Sequence, residues 1–485
     1  MLSIKNTFED RAKWNNRRSS TIFPIYLNKN NDQILVFQNY WKWKNKIHDI
    51  KFILTLRNEN SIIKNQIKIN INDHNEISVK KYFNINRIFK GQLECELVSG
   101  ENLKFPYPAL LMFYKNNYGY LSAVHSAGRH LNKNENISSK FYESNFYCLM
   151  NNEFSPVIHF FCGDELKKKN NYIELSFLDE KNRLIFKKKI SNIFSKPYCS
   201  KIIFLEKYLK KFEIKKIYNK IFFIKIKFEI QNIFGRLVVG NYDKKNDALF
   251  LTHTFRVFDS KNKNLISLNK NYKSTGFIPL MNSHPLKLIA KSYPTNSPSA
   301  SNFEEYIIKR NQSYKIGSGI MKTGMNNKNL FKIGNDKNEY KIIEFKDTIP
   351  DRVNVELNYF LKNSRHPTDI ADGVKTCYQP RKSSQWGHGV SKKNYQTFII
   401  IGNYSNLNSE MVGEKVSLTI FSNKKKIVKN IFIKKKSFKI VKLKDMKSKI
   451  GSDYFSWKVY SRKSNLSIYW LSFNEKGSIC GDHAF

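Results

Sequence analysis

The chain has 485 residues, of which 41% are hydrophobic and 26% charged, the composition of a folded protein with room for roughly three domains. Its 20 glycines and 12 prolines are too few for a collagen-like or Pro/Gly-rich disordered class. Lys and Arg total 84 against 40 Asp and Glu, a formal charge of +44, but the lysines run along the whole length beside abundant Asn, Ile, Phe and Tyr, the residues of A/T-rich codons.

Residues 1–32 form a basic N-terminal segment without the apolar run of about 7–15 residues that a secretory signal needs. The first strand signal is ILVFQNYW from Ile34, followed by KFILTLRNENSIIKNQIKI, two alternating runs about a polar turn. The same layout returns in VIHFFCGDE from Val157 with YIELSFLDEKNRLIFKKKI, and again in TFIIIGNYS from Thr397 with KVSLTIFSNKKKIVKNIFI. LEKYLKKF, Leu205 to Phe212, is the best helical candidate in a chain that otherwise alternates with period two. Each segment closes on a hairpin: YGYLSAVHSA, NDALFLTHTF and KGSICGDHAF. In these, Gly119, Asp247 and Gly477 stand six positions before His125, His253 and His483, which places the three histidines at equivalent strand ends.

Roughly seven strands in each hundred-residue segment read as a β-sandwich. The layout resembles tandem immunoglobulin-like or similar sandwiches, a resemblance of architecture that carries no function. The fold class is therefore all-β, antiparallel and tandemly repeated. The first repeat is assigned to 33–128, the second to 156–256 and the third to 396–485, with an irregular insert or diverged fourth module at 257–395. No stretch approaches the ~18 uninterrupted apolar residues of a membrane span. Cys95, Cys148, Cys162, Cys199, Cys377 and Cys480 are scattered without a CxxC pair, so neither a zinc cluster nor a disulfide scaffold is indicated, and the expected location is the cytoplasm.

Against a background rich in Lys, Asn and Ile, the segment SRHPTDIADGVKTCYQPRKSSQWGHG, Ser364 to Gly389, stands out for Gly, Pro, Trp, His, Asp and Cys. His366, Asp369 and Asp372 have i, i+3, i+6 spacing, which on a short helix lines up three donors for a divalent cation, with Cys377 and His388 as further ligands. The plainer reading is a structured loop, with Gly387 and Gly389 in tight turns and Trp386 filling a gap. Asp482 beside His483 makes that histidine the best acid–base candidate of its three. Trp41 and Trp43 in NYWKWKN fall on one face of a strand, where they either fill the core or form a flat platform for sugar rings or bases. GSGIMKTG, Gly317 to Gly324, lacks the spacing of a phosphate loop, and no GxSxG, HExxH or GxGxxG is present.

These observations favour a non-catalytic tandem β-sandwich binding or scaffold protein, without a cofactor, whose loops bind a polymer, with a carbohydrate preferred over a protein partner. A metal-assisted hydrolase or lyase centred on 364–389 is the alternative, and a divalent metal its one cofactor. Nucleic-acid binding through the basic charge is a second alternative, discounted because lysine is spread rather than gathered on one face.

Overall fold

The computed structural model describes the chain outside 1–15, 105–107, 126–127, 132–139, 144–145, 167–170, 180–182, 230–232, 235–236, 255, 258–275, 293–299, 323–337, 347–353, 365, 374–381, 405–412, 423–424 and 444–449. About 65% of it is strand and 6% helix. The chain divides into two units, Met1–Asn264 and Leu265–Phe485.

In the first unit the alternating segments pair into two sheets. The strands are β1 (Arg18–Leu27), β2 (Asn31–Gln38), β3 (Lys51–Asn58), β4 (Ile63–Ile69), β5 (His74–Ser78), β6 (Phe89–Val98), β7 (Leu111–Asn116) and β8 (Leu121–His125). One sheet has the order β1-β6-β3-β4 and the other β5-β2-β7-β8, all antiparallel. Period-two sequence decides the faces: Leu93, Cys95 and Leu97 of β6 are wholly buried, as are Leu54 and Leu56 of β3. Phe52 of β3 meets Phe37 of β2 edge to face, ring centroids 4.9 Å apart, and so ties the two sheets together. β1 begins at Arg18, inside the segment that the sequence assigns to a basic N-terminal stretch.

The same strand order recurs in the second half of this unit. Lys140–Glu143, Ile221–Glu229, Tyr172–Leu178 and Leu184–Ser191 follow β1-β6-β3-β4, and Ser200–Phe204, Phe154–Phe161, Val238–Asp243 and Ala248–His253 follow β5-β2-β7-β8. Ile158, Phe160, Ile203 and Val239 of one sheet share a core with Leu175, Phe177, Ile224 and Phe228 of the other. The LEKYLKKF segment splits into a 3₁₀ turn, Leu205–Tyr208, and the start of an α-helix, Lys211–Ile217.

The second unit repeats the order twice. Gly276–Ser283, Asn338–Lys346, Ala300–Lys309 and Gln312–Lys322 form one sheet, and Leu286–Ser292, Asn354–Leu361 and Thr368–Gly373 match β2-β7-β8. Both sheets fall within 257–395. Ser383–Val390, Tyr454–Ser461, Gly413–Phe421 and Lys426–Lys434 then match β1-β6-β3-β4, with Ser437–Lys442, Tyr395–Tyr404, Asn465–Asn474 and Ile479–His483 as β5-β2-β7-β8.

Within each unit the two copies meet through their β7–β8 hairpins. In the first unit Ser122 donates to the Leu249 carbonyl at 2.6 Å and Asn116 to the Asn246 carbonyl at 2.8 Å. In the second, Asn363 donates to the Glu475 carbonyl and the Tyr359 and Tyr469 hydroxyls pair at 2.6 Å in the core. The hairpin residues Gly119, Asp247 and Gly477 all have positive φ, +90°, +49° and +89°, so the turn chemistry read from the sequence is one repeated geometry.

Gly387 and Gly389 are not in turns. Both lie inside the strand Ser383–Val390, opposite Trp457 and Phe455, and the aromatic rings of the neighbouring strand lie over them. A Cβ on Gly387 would sit 2.5 Å from Trp457 Cζ2, and one on Gly389 2.4 Å from Phe455 Cζ. Trp457 is fully buried and has no room to retreat. Gly387→Ala should therefore cost about 1–3 kcal/mol of overpacking, seen as a lower urea midpoint with an unchanged slope. An unchanged midpoint would show that the ring moves aside freely.

Candidate functional site

The fold scatters some of the residues singled out by sequence and brings others together. Trp41 and Trp43 do not share a strand face, because Trp41–Asn45 forms a π-helical turn instead of a strand. Trp41 is wholly buried with its ring 4.1 Å from that of Tyr40, while Trp43 is half-buried, so no flat two-ring platform forms. The expected helix through His366, Asp369 and Asp372 is also absent. Thr368–Gly373 is a strand paired with Asn354–Leu361, and a strand does not align positions three apart. His366 is buried with Nδ1 2.6 Å from the Pro367 carbonyl, and Asp369 accepts a hydrogen bond from Asn358. Asp372 is placed by its backbone pairing with Val355, and Cys377 lies outside the described residues. The 364–389 segment thus belongs to two successive copies of the sandwich: Thr368–Gly373 closes one and Ser383–Val390 opens the next.

Three of the expected residues do converge, around Phe485. The Phe485 amide donates to the Trp386 carbonyl at 2.9 Å, which brings the last strand back onto Ser383–Val390. The Phe485 ring then lies 6.2 Å from Trp386, 6.2 Å from His388 and 6.0 Å from His483. His388 is fully buried, its Nδ1 2.9 Å from the Ser456 hydroxyl, and its carbonyl accepts from the Trp457 indole at 2.9 Å. His483 is partly exposed, its Nδ1 2.7 Å from the Ala484 carbonyl, and the Asp482 carboxylate accepts from the His483 backbone amide at 2.8 Å.

In the first unit the hairpin packing brings His125 and His253 together, ring centroids 4.1 Å apart and both buried. Within this unit they offer two imidazole donors, fewer than the three or four protein ligands of a zinc site. The row of side chains continues inward, since His253 pairs with Val238 and Val238 with His159. His159 is fully buried, neither ring nitrogen has a hydrogen-bond partner, and burial holds its pKa at about 3.

A charged cluster that no spacing announced lies on the outer face of the β1-β6-β3 sheet. Gln92, Glu94 and Glu96 alternate along β6 as a solvated face would, yet Gln92 and Glu94 are buried. Arg57 donates to Glu94 at 2.7 Å, Gln92 donates to the same carboxylate at 2.7 Å, and Arg18 pairs with Glu96. Segments of the second copy cover this face. The Arg57 guanidinium lies 5.0 Å from the Tyr198 ring centre, and the His130 ring is 6.0 Å from Tyr198. Tyr198 has φ +59°, a conformation that costs an L side chain roughly 1–2 kcal/mol, and its amide donates to the Gly163 carbonyl at 3.0 Å. Burial raises the Glu94 carboxyl despite Arg57, and burial, reinforced by Arg18, lowers the His130 imidazole to about 4. The neighbouring Cys162 thiol, whose amide donates to the Cys199 carbonyl at 2.8 Å, is pushed up to about 12, chiefly by burial, and so is a poor nucleophile. A neutral imidazole and a buried carboxyl resemble acid–base machinery, but Glu94 is committed to Arg57 and Gln92. The cluster joins the two copies.

His159 gives a pH test. Its folded pKa, about 3, is below the ordinary 6.5, so the unfolded chain takes up the proton first. Stability should fall as pH drops from about 6.5 toward 3, by roughly 1.4 kcal/mol per pH unit for this group alone. His159→Leu should leave stability at pH 7 equal or higher and should flatten the acid slope in urea titrations at pH 7 and about pH 5. A slope unchanged by the substitution would mean that His159 charges in the folded state. No protein-family model matches the chain, and a search of curated proteins finds no match.

Proposed function

We propose that the chain is a non-catalytic binding scaffold that presents the surfaces of its tandem sandwiches to a protein or other polymeric partner. The observation that carries this reading is the fourfold recurrence of one strand order. Repeated modules offer equivalent surfaces, and a ligand that meets several of them at once gains avidity without any single strong site. Carbohydrate recognition through a Trp41–Trp43 platform loses its support with the burial of Trp41, which leaves a polypeptide as the favoured partner. The hydrolase or lyase reading loses its centre, because His366 and His388 are buried in successive sandwiches, bonded to Pro367 and Ser456.

Arrays of glycans and of acidic, neutral and basic polypeptides, probed with the full-length protein, test the proposal. The expected result is saturable binding to one polypeptide class, with more than one ligand equivalent per chain. Absence of saturable binding, together with turnover of any hydrolase or lyase substrate that His388→Asn abolishes in a folded protein, would overturn it in favour of the enzyme.

A further inference from the structure

The strand at the β4 position ends its sheet in every copy: Ile63–Ile69, Leu184–Ser191, Gln312–Lys322 and Lys426–Lys434 each bond to one neighbour. These four strands carry two, three, two and three lysines, ten in all, and no Asp or Glu. Seven of the twelve exposed large hydrophobic side chains among the described residues also lie on them, at least one per copy, from Ile63 and Leu184 to Tyr314 and Phe432. Along Lys426–Lys434 the pattern is explicit. Val428 and Phe432 are 56% and 59% exposed on the outer face, while Ile431 and Ile433 point into the core. The other edges of the first copy are more enclosed. β1 is buried along most of its length, β5 over most of its residues, and β8 lies against the neighbouring hairpin.

An open edge presents a row of unpaired N–H and C=O groups on which another strand can pair. Solvation alone accounts for the lysines but not for large apolar side chains interleaved with them on the same strands. Two such edges brought together would oppose lysine to lysine, which disfavours a second copy of this chain as the occupant. We propose that the β4 edges are docking sites for extended acidic peptide segments in which carboxylates alternate with apolar residues. The segment adds a strand to the sheet. Its backbone pairs with the open edge; at Lys426–Lys434 its carboxylates on one face meet the exposed Lys429, and its apolar side chains on the other face cover Val428 and Phe432. Lys188 and Lys315 are already engaged by Glu213 and Glu304. A nucleic acid answers the lysines, but its phosphodiester backbone lacks the alternating N–H and C=O groups that pair along a strand edge.

This inference rests on the scaffold reading and names its partner chemistry. The test uses the full-length protein, a labelled peptide of alternating glutamate and valine about ten residues long, and a single-stranded oligonucleotide of matched charge. The expected result is saturable peptide binding with slowed amide exchange along Lys426–Lys434 and the other β4 edges. Lys426→Glu with Lys429→Glu, both at exposed positions, should weaken binding at that edge at least about tenfold and leave protection at the other three. Val428→Asp with Phe432→Asp should do the same without reversing a lysine. Peptide binding with no edge protection, binding insensitive to both double variants, or equal competition by the oligonucleotide would overturn the edge assignment while leaving a scaffold in place. No peptide binding would also overturn it, and the scaffold reading would then be judged by the arrays alone.

Discussion

Phe37 and Phe52 meet edge to face between two sheets, and in the second copy Ile158 and Phe160 share a core with Phe177 and Phe228. That face-to-face burial is what the remaining architecture depends on. A sheet with one apolar face is unstable in water until a second sheet covers it, and a period-two sequence supplies one such face per strand. Once the pair closes, the strand order leaves different kinds of edge. β8 and its counterparts lie where hairpins of adjacent copies pack, whereas β4 and its counterparts have a single neighbour. The joining surfaces and the open surfaces of the molecule follow from the same topology.

Joining two copies buries polar as well as apolar groups. The Arg57–Glu94 pair, Gln92 and the strained Tyr198 occupy a face that a lone sandwich would expose to water. A buried ion pair of this kind contributes little net stability, but removing one partner leaves an uncompensated charge, so it favours one docking arrangement over others. The histidines behave in a comparable way. His125 and His253 touch because their hairpins pack side by side, and His159 is held neutral by burial.

Much of the fold was legible in the residues. ILVFQNYW, VIHFFCGDE and TFIIIGNYS all prove to contain the β2-position strand, and the paired runs after them are the β3 and β4 positions. The alternation that marks them is local, so no tertiary information was needed. The turn residues Gly119, Asp247 and Gly477 were legible for the same reason, since positive φ is demanded by the turn itself. The candidate chemistry was less legible. Spacing of i, i+3, i+6 aligns His366, Asp369 and Asp372 only on a helix, and pairing with Asn354–Leu361 made that stretch a strand. Gly387 and Gly389 looked like turn residues because a glycine that makes room for a ring on another strand has the same one-letter signature.

The sequence by itself determined the strand content, the repeated hairpins and the charge pattern of each strand, because all three depend on residues within a few positions of one another. Tertiary structure alone decided which polar faces are buried, which edges stay open, and which histidines meet. Gln92 and Glu94 read as solvated until a second sandwich covers them. The lysines of Leu184–Ser191 and Lys426–Lys434 become a distinct surface only when the strand order leaves those strands at the edge. Both outcomes depend on contacts between segments tens to hundreds of residues apart, which alternation and turn propensity do not encode.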